Sequence, residues 1–398
     1  MRINEIVAST APPKWRYAPV SGLSGARASG ELVCWLVLEE VMLGRFYGVL
    51  AAAITAVLPT LDAKAWDHPG HMATVAIAFA EIERARPDLI DKIGLLMLKH
   101  PDPGPFWVAA GHAKDKERAR RMFIQGSRWP DDVRWTIQDR PAWHTARWAI
   151  TAADASPNTR KLAKARRGMS AGQAIEALIL NTGVLTDPES KPDERSLALT
   201  WVLHIMGDIH QPLHTADLFS KQYPTGNPAG SLGFVADPLA NSAMQLHLLW
   251  DSHTRRSVRL KGVDRYAKEI KDKFPRSALP ELTPYQGPED FEKWARESHQ
   301  VAVEWAFEVK TIPDPEPDPQ KVVQKMVKYI LTGASPVKGA PKVPAEYWEK
   351  VQEVATRRLA LAGYRIADII LVAADRIETE KGLHRQAMDA MTSRYNPK

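Results

Sequence analysis

The segment 204–214, His-Ile-Met-Gly-Asp-Ile-His-Gln-Pro-Leu-His, constrains this 398-residue chain more than any other. It closes an apolar run, 195–209, whose spacing predicts a helix that stops before Pro212, since proline cannot supply a helix-interior N–H. On that helix His204 and Asp208 stand at i and i+4, neighbours on one face. The chain then turns, and His214 can reach the same place from another direction. Imidazole nitrogen with carboxylate oxygen is the donor set zinc takes in catalytic sites. A second pair at the same spacing, His247 and Asp251, follows in Gln-Leu-His-Leu-Leu-Trp-Asp.

Helical patterning continues through most of the chain after residue 65. The stretch 72–86 places Val75, Ala76, Phe79, Ile82 and Glu83 at helix spacing and stops before Pro87. Ser170 is placed to cap a helix through 174–180, and 349–377 is long and apolar enough for one or two more. No run alternates with period two between turn signals, so the expectation is an all-α, mainly helical fold. The Pro- and Gly-rich stretches 99–111, 222–233 and 312–320 read as irregular connections. The last is not read as a domain linker, because the helix after it is needed to complete a core. Residues 66–398 are therefore expected to form a single domain, with a frayed tail after about residue 384.

Forty-four per cent apolar and twenty-five per cent charged residues describe a globular chain with a sizeable core. The formal charge of +6 mildly favours an anionic substrate. The basic runs 114–121 and 160–167 could touch a phosphate backbone, although solvated helix faces are the ordinary reading of such runs. Cys34 is the only cysteine, which excludes an intrachain disulfide and a thiolate zinc site. Any metal must then be held by His, Asp, Glu or backbone groups.

The N-terminal region carries the layout of a secretory signal peptide over 42–65: Arg45, an apolar stretch 46–58, then Ala63-Lys64-Ala65 as a cleavage site. The stretch is shorter than the roughly 20 residues that span a bilayer. Residues 1–41 resemble no part of a signal, so Met42 is expected to be the true start and 1–41 an upstream extension. Cleavage would make Trp66 the new terminus and deliver the protein to the periplasm or outside the cell, with no membrane anchor left.

A terminal Trp66 matters chemically, because a free α-amino group and the adjacent carbonyl oxygen can chelate a metal in a five-membered ring. Further candidates are His71, Asp131 in Ser-Arg-Trp-Pro-Asp-Asp-Val-Arg, and His144 in Ala-Trp-His. With His204, Asp208, His214, His247 and Asp251 they occur in five separated places. His210 reads as a histidine at the core edge or behind the ligands. His68, His100, His112, His253, His299 and His384 read as surface residues, and Asp132 as a solvated neighbour of Asp131.

In this order these motifs resemble the zinc-dependent, single-strand-specific nuclease and 3′-nucleotidase family of the nuclease S-one/P-one type, itself similar in fold to bacterial zinc phospholipases C. The resemblance runs from Trp66 to about Leu371 and includes Ala-Gly-Tyr-Arg-Ile-Ala at 362–367. It implies an all-α domain with three zinc ions at the bottom of a cleft. Carried over, Asp131, His144, His204 and Asp208 would hold one ion. The Trp66 amino and carbonyl groups with His71 would hold its neighbour, Asp208 bridging the two. His214, His247 and Asp251 would hold the third. Arg134 matches an arginine that contacts the phosphate, and Asp131 could also orient the nucleophile.

The activity implied is cleavage of single-stranded DNA and RNA to 5′-nucleotides and removal of 3′-phosphate from mononucleotides, through a water activated between two metals. Asp131, Arg134 and Asp208 are the expected catalytic group, in a monomer with no stable protein partner. The alternatives are a phospholipase C-like enzyme acting on head groups, or a non-catalytic zinc-binding periplasmic protein. A zinc protease is disfavoured, since no His-Glu-x-x-His occurs. One departure concerns base recognition. Relatives often follow the ligand histidine with a stacking aromatic and, two positions on, an aspartate, whereas this chain reads His144-Thr-Ala-Arg147-Trp148. Trp143 or Trp148 could stack a base instead, or serve the core.

Overall fold

The computed structural model describes residues 66–166, 168–240, 242–253, 256–313 and 339–395, with side chains through Glu378. The expected upstream extension 1–41, the signal peptide 42–65 and Cys34 lie outside the described residues, as do the side chains beyond 378, His384 among them. The described residues form one compact unit.

Helices build the molecule. In chain order they are α1 (His68–Ala85), α2 (Leu89–Met97), α3 (Gly104–Ala110), α4 (Asp115–Asp132), α5 (Pro157–Ala165), α6 (Ala174–Thr186), α7 (Pro192–Asp208), α8 (Leu246–Asp251), α9 (Leu260–Lys273), α10 (Glu289–Val301) and α11 (Ala345–Tyr395). A single π-helical turn, Ala302–Ala306, extends α10.

Helix α1 starts earlier than its apolar periodicity suggests. The Asp67 side chain accepts from Gly70 N–H at 3.1 Å, and Pro69 occupies the first turn, where its missing N–H costs nothing. That early start puts His71 on the helix. Both α1 and α7 are buried on nearly all sides, which is why each reads as apolar all round rather than striped. Helix α11 packs along α1, α6 along α7, and α4 against α1, α2 and α7. The main core fills the space between them, with Phe79, Phe123, Trp129, Val202, Leu203 and Ile366 among its buried members. A ring such as Trp129 removes on the order of 200 Å² from water, roughly 5 kcal/mol of transfer free energy before ordering costs.

Two sequence expectations need correction. The stretch 99–111 is not irregular throughout: it contains α3, with Pro105 in the first turn, a position proline tolerates. The helix expected over 174–180 begins at Ala174, but behind Gln173 rather than a Ser170 cap: Gln173 makes no side-chain cap bond, and Gly172, with a φ of +100°, bends the chain just before it. The region 349–377, read as one helix or two, belongs to one. Gly363 does not interrupt it; it lets α11 approach α1, where a Cβ would stand 2.8 Å from Ile77 Cβ and Thr74 O.

The fold is mainly helical, with short strands that sequence periodicity did not show. β1 (Trp148–Thr151) pairs parallel with β2 (Ala216–Phe219), which pairs antiparallel with β3 (Asn227–Pro228). β4 (Gly233–Ala236) pairs antiparallel with β5 (Ala243–Gln245) and with β6 (Ile312–Pro313). None exceeds four residues, too short for alternation to register. Their value lies in what they align. With Trp148 opposite Ala216, the 3-10 turns that precede β1 and β2 lie side by side, while the β4–β5 hairpin feeds directly into α8.

Candidate metal centre

Each candidate ligand stands on an element that local sequence explains. His71 lies in the first turns of α1, and Asp131 in the last turn of α4 just after Pro130. His144 ends the 3-10 turn Pro141–His144, His204 and Asp208 close α7, His214 lies in the 3-10 turn Pro212–Thr215, and His247 and Asp251 share α8. All eight are buried to 7% exposure or less, which for acids and imidazoles demands compensation.

Asp208 is the hub. Its Oδ2 lies 3.1 Å from His144 Nδ1 and 3.4 Å from His204 Nε2, while its Oδ1 lies 3.5 Å from His71 Nε2. The two carboxylate oxygens therefore face different imidazoles. His204 Nε2 also lies 3.0 Å from His144 Nδ1 and 3.8 Å from Asp131 Oδ1, and its ring stacks on His71 with centroids 4.1 Å apart. On the far side, His247 Nε2 is 3.1 Å from Asp251 Oδ2, and the His214 and His247 rings stack at 5.1 Å. Among the described residues, three sets have donor atoms within 4.8 Å of one another: His71, His204 and Asp208; Asp131, His144 and His204; His214, His247 and Asp251.

Backbone carbonyls set the tautomers. A carbonyl only accepts, so His204 Nδ1–H donates to Ser127 O at 2.7 Å, His214 Nδ1–H to His144 O at 2.6 Å, and His247 Nδ1–H to Ala229 O at 2.8 Å. In each ring Nε2 keeps its lone pair, the state a metal-binding histidine requires, and the carbonyl is the usual second partner of such a ring. Burial pushes the His71 and His144 pKa values well below the ordinary value, and that of His204 below it, which favours the uncharged ring. Burial likewise raises Asp208 well above the usual carboxylate range, with Asp131 adding to the rise, and raises Asp251.

These residues fit a metal. Among the described residues, both nitrogens of His71, His144 Nε2, Asp208 Oδ1 and Asp251 Oδ2 are buried with no hydrogen-bond partner. Lone pairs and carboxylate oxygens turned toward one another out of water are repaired by a cation between them.

The neighbours differ in part from the sequence reading. Trp66 is wholly buried, edge-on to His253 at 5.2 Å, and the next residue's N–H donates to Asp251 O at 3.0 Å. Arg134 donates from Nε to Asp131 Oδ1 at 3.0 Å, so one carboxylate both faces the cluster and aims the guanidinium. Asp132 is exposed and paired with Arg128 at 2.7 Å. Four histidines expected on the surface are not exposed. His100 and His253 are buried, and His68 is half-buried, 4.0 Å from Asp131 Oδ2. His299 is also half-buried, donating to Thr215 O at 2.8 Å, while His112 is exposed. A lone histidine carries no local signal of depth.

Several members of the basic runs pair within the fold. On α4, Lys116 pairs with Glu83, Arg120 with Asp264 and Arg121 with Glu117; on the other run Arg166 pairs with Asp217. Both tryptophans near His144 pack into the fold, Trp148 buried and Trp143 half-buried. Trp148 is buried beneath Arg296, 3.7 Å from the ring centroid, and Trp143 meets Trp201 edge-on. Sequence reasoning passed over Gln211. Its Nε2 donates to Asp251 Oδ1 at 2.7 Å and its Oε1 accepts from Leu213 N–H, linking the two halves of the site. Its place inside the 204–214 motif was the only available hint.

A mainly helical domain with buried His/Asp clusters able to hold metal defines the class as a metal-dependent hydrolase scaffold. Residues 66–375 match the family model described as S1/P1 Nuclease, and the chain belongs to that family. No individual curated protein gives a significant match. Family membership makes the chain a nuclease, a phosphodiesterase acting on nucleic acid.

Proposed function

We propose that this chain is an exported, zinc-dependent phosphodiesterase that cleaves single-stranded DNA and RNA to 5′-nucleotides and removes 3′-phosphate from mononucleotides. The observation that carries the reading is Asp208: wholly buried, raised by that burial, with Oδ1 toward His71 and Oδ2 toward His144 and His204. A carboxylate so placed suits bridging two cations.

Asp131, His144, His204 and Asp208 would hold one zinc, Trp66 and His71 with Asp208 a second, and His214, His247 and Asp251 a third. Bound zinc would supply Lewis acidity toward phosphate oxygens and a nucleophilic water at neutral pH. The chain's own residues do the rest. The carbonyls of Ser127, His144 and Ala229 hold the Nδ1 protons and so keep each Nε2 basic. Asp131 aims Arg134, whose guanidinium would give charge-assisted hydrogen bonds to phosphate oxygens as charge builds on them. Cleavage before Trp66 would free the α-amino group to chelate. The Asp67 N–H bond to Asp251 O supports this, since it ties that point of the chain to a candidate ligand, while the buried indole anchors Trp66 in the core.

The test is hydrolysis of 3′-AMP and heat-denatured DNA by protein beginning at Trp66, before and after chelation and zinc readmission. Zinc-restored turnover of both substrates is expected. Turnover of a phosphorylcholine ester alone would move the activity to lipid head groups. No turnover by fully zinc-loaded protein would leave a binding protein without catalysis.

A further inference from the structure

The segment 362–367, picked out by resemblance but given no task, carries Arg365 to the back of the turn that follows Asp208. Arg365 is 1% exposed, and its Nη1 donates to His210 Nε2 at 2.8 Å and to Glu297 Oε2 at 2.8 Å. Its Nη2 donates to Glu297 Oε1 at 2.9 Å. Two helical turns earlier on α11, Arg358 is 4% exposed and donates from Nε to His210 O at 3.3 Å and from Nη2 to Ser298 Oγ at 2.6 Å. Ser298 Oγ–H in turn donates to Ile209 O. His210 itself donates from Nδ1 to Met206 O at 2.7 Å, which leaves Nε2 to accept from Arg365.

Every polar group of Ile209 and His210 that faces this side is thus gripped from α10 and α11. Their carbonyls lie at the C-terminal end of α7, where orphan acceptors and the negative end of the helix dipole favour cations. Two guanidinium groups sharing one carboxylate form a costly way to fill a core, since a well-packed apolar set of similar volume is often as stable or more so. What the arrangement supplies is direction. On the opposite side of the same turn, Gln211 holds Asp251, and three residues later His214 joins His247.

We propose that Arg365 and Arg358, braced by Glu297 and Ser298, are positioning residues that set the path of 209–211, and through it the placement of the His214–His247–Asp251 set relative to Asp208. The inference rests on the metal-centre reading above. Changes behind metal ligands commonly cost about 10–100-fold in metal affinity. The pocket should therefore lose affinity while the helical frame stands.

The experiment loads wild type, Arg365→Lys, Arg365→Met and Ser298→Ala with zinc or cobalt. It reads metal equivalents by elemental analysis, the cobalt absorption bands, and circular dichroism well below the melting temperature. Arg365→Met with native dichroism, one equivalent of metal weakened by about 10-fold or more and shifted cobalt bands is the expected result. Arg365→Lys, which keeps the charge but loses the fork, should restore only part. Native metal content and bands in a folded Arg365→Met would make the clamp structural only and overturn the proposal. If Arg365→Met does not fold, Arg365→Lys and Ser298→Ala decide by the same readings. A wild type that binds no metal would instead bring down the metal-centre reading itself, a different failure.

Discussion

Gly207 lies so close to His71 that a Cβ built on it would stand 2.6 Å from the His71 Nδ1 atom. The glycine one position before Asp208 thus makes room for the imidazole of α1 to lie against α7. Elsewhere in a helix, Gly→Ala would be worth about 1 kcal/mol of added stability. Here Gly207→Ala should displace His71 and lower the affinity of the His71–Asp208 set by at least about 10-fold, since ligand placement is what it disturbs. Metal equivalents by elemental analysis check this, and full native content in the variant would show that His71 is not needed there.

Asp208→Asn removes a charge that burial already disfavours. The metal-free variant should melt at or above the temperature of metal-free wild type, because a strained carboxylate has become a neutral amide. Its zinc uptake and its turnover should both fall to background. Wild type should melt higher with zinc than without, by the equivalent of about 4 kcal/mol for a site at 1,000 times its Kd. Calorimetry of both proteins, with and without chelator, reads all of these; a zinc-independent melting temperature in wild type would contradict the site.

Arg134→Ala should leave metal content intact and lower kcat/KM on denatured DNA by roughly 10²–10³-fold, the scale of one lost donor to a charged transition state. Arg134→Lys should recover part of it, keeping charge but not the paired N–H geometry. Equal loss of metal in Arg134→Ala would instead make its bond to Asp131 the important one.

His100, which belongs to none of the three donor sets, gives a pH dependence of its own. Its Nδ1 accepts from Asp102 N–H at 3.1 Å, its Nε2 faces Thr200 Oγ1 at 3.3 Å, and the rings of Phe106 and Trp129 enclose it. Burial pushes its pKa down to about 4. The unfolded chain therefore binds a proton near pH 6.5 that the folded chain refuses until about pH 4, so folding stability rises with pH across that window and is lost as pH falls through it. Against His100→Gln, wild type should lose up to about 1.4 kcal/mol more per pH unit on acidification from 6.5. Melting temperatures of both proteins from pH 7 to 4 measure the gap. A constant gap would mean that His100 titrates as in water.

The helical class and the two His/Asp pairs were legible because both depend on spacing along one helix. His204–Asp208 and His247–Asp251 are neighbours wherever their helices form. The short strands, the burial of His100 and His253, and the task of Arg365 were not legible. Strands of two to four residues leave no period, and Arg365 meets His210 across 155 positions of chain. Resemblance supplied the wider ligand set; spacing alone does not relate His71 or Asp131 to Asp208.

By itself, then, the amino-acid order determined the helices, the stop before Pro212 and the local donor pairs, since these follow from backbone periodicity and from what each residue allows its neighbours. Only the tertiary structure decided which atoms meet: His204 Nε2 with His144 Nδ1 across 60 positions, and its Nδ1–H with Ser127 O across 77. Such meetings depend on α1, α4 and α7 packing with their faces in one rotation, and that rotation is selected by the whole core at once.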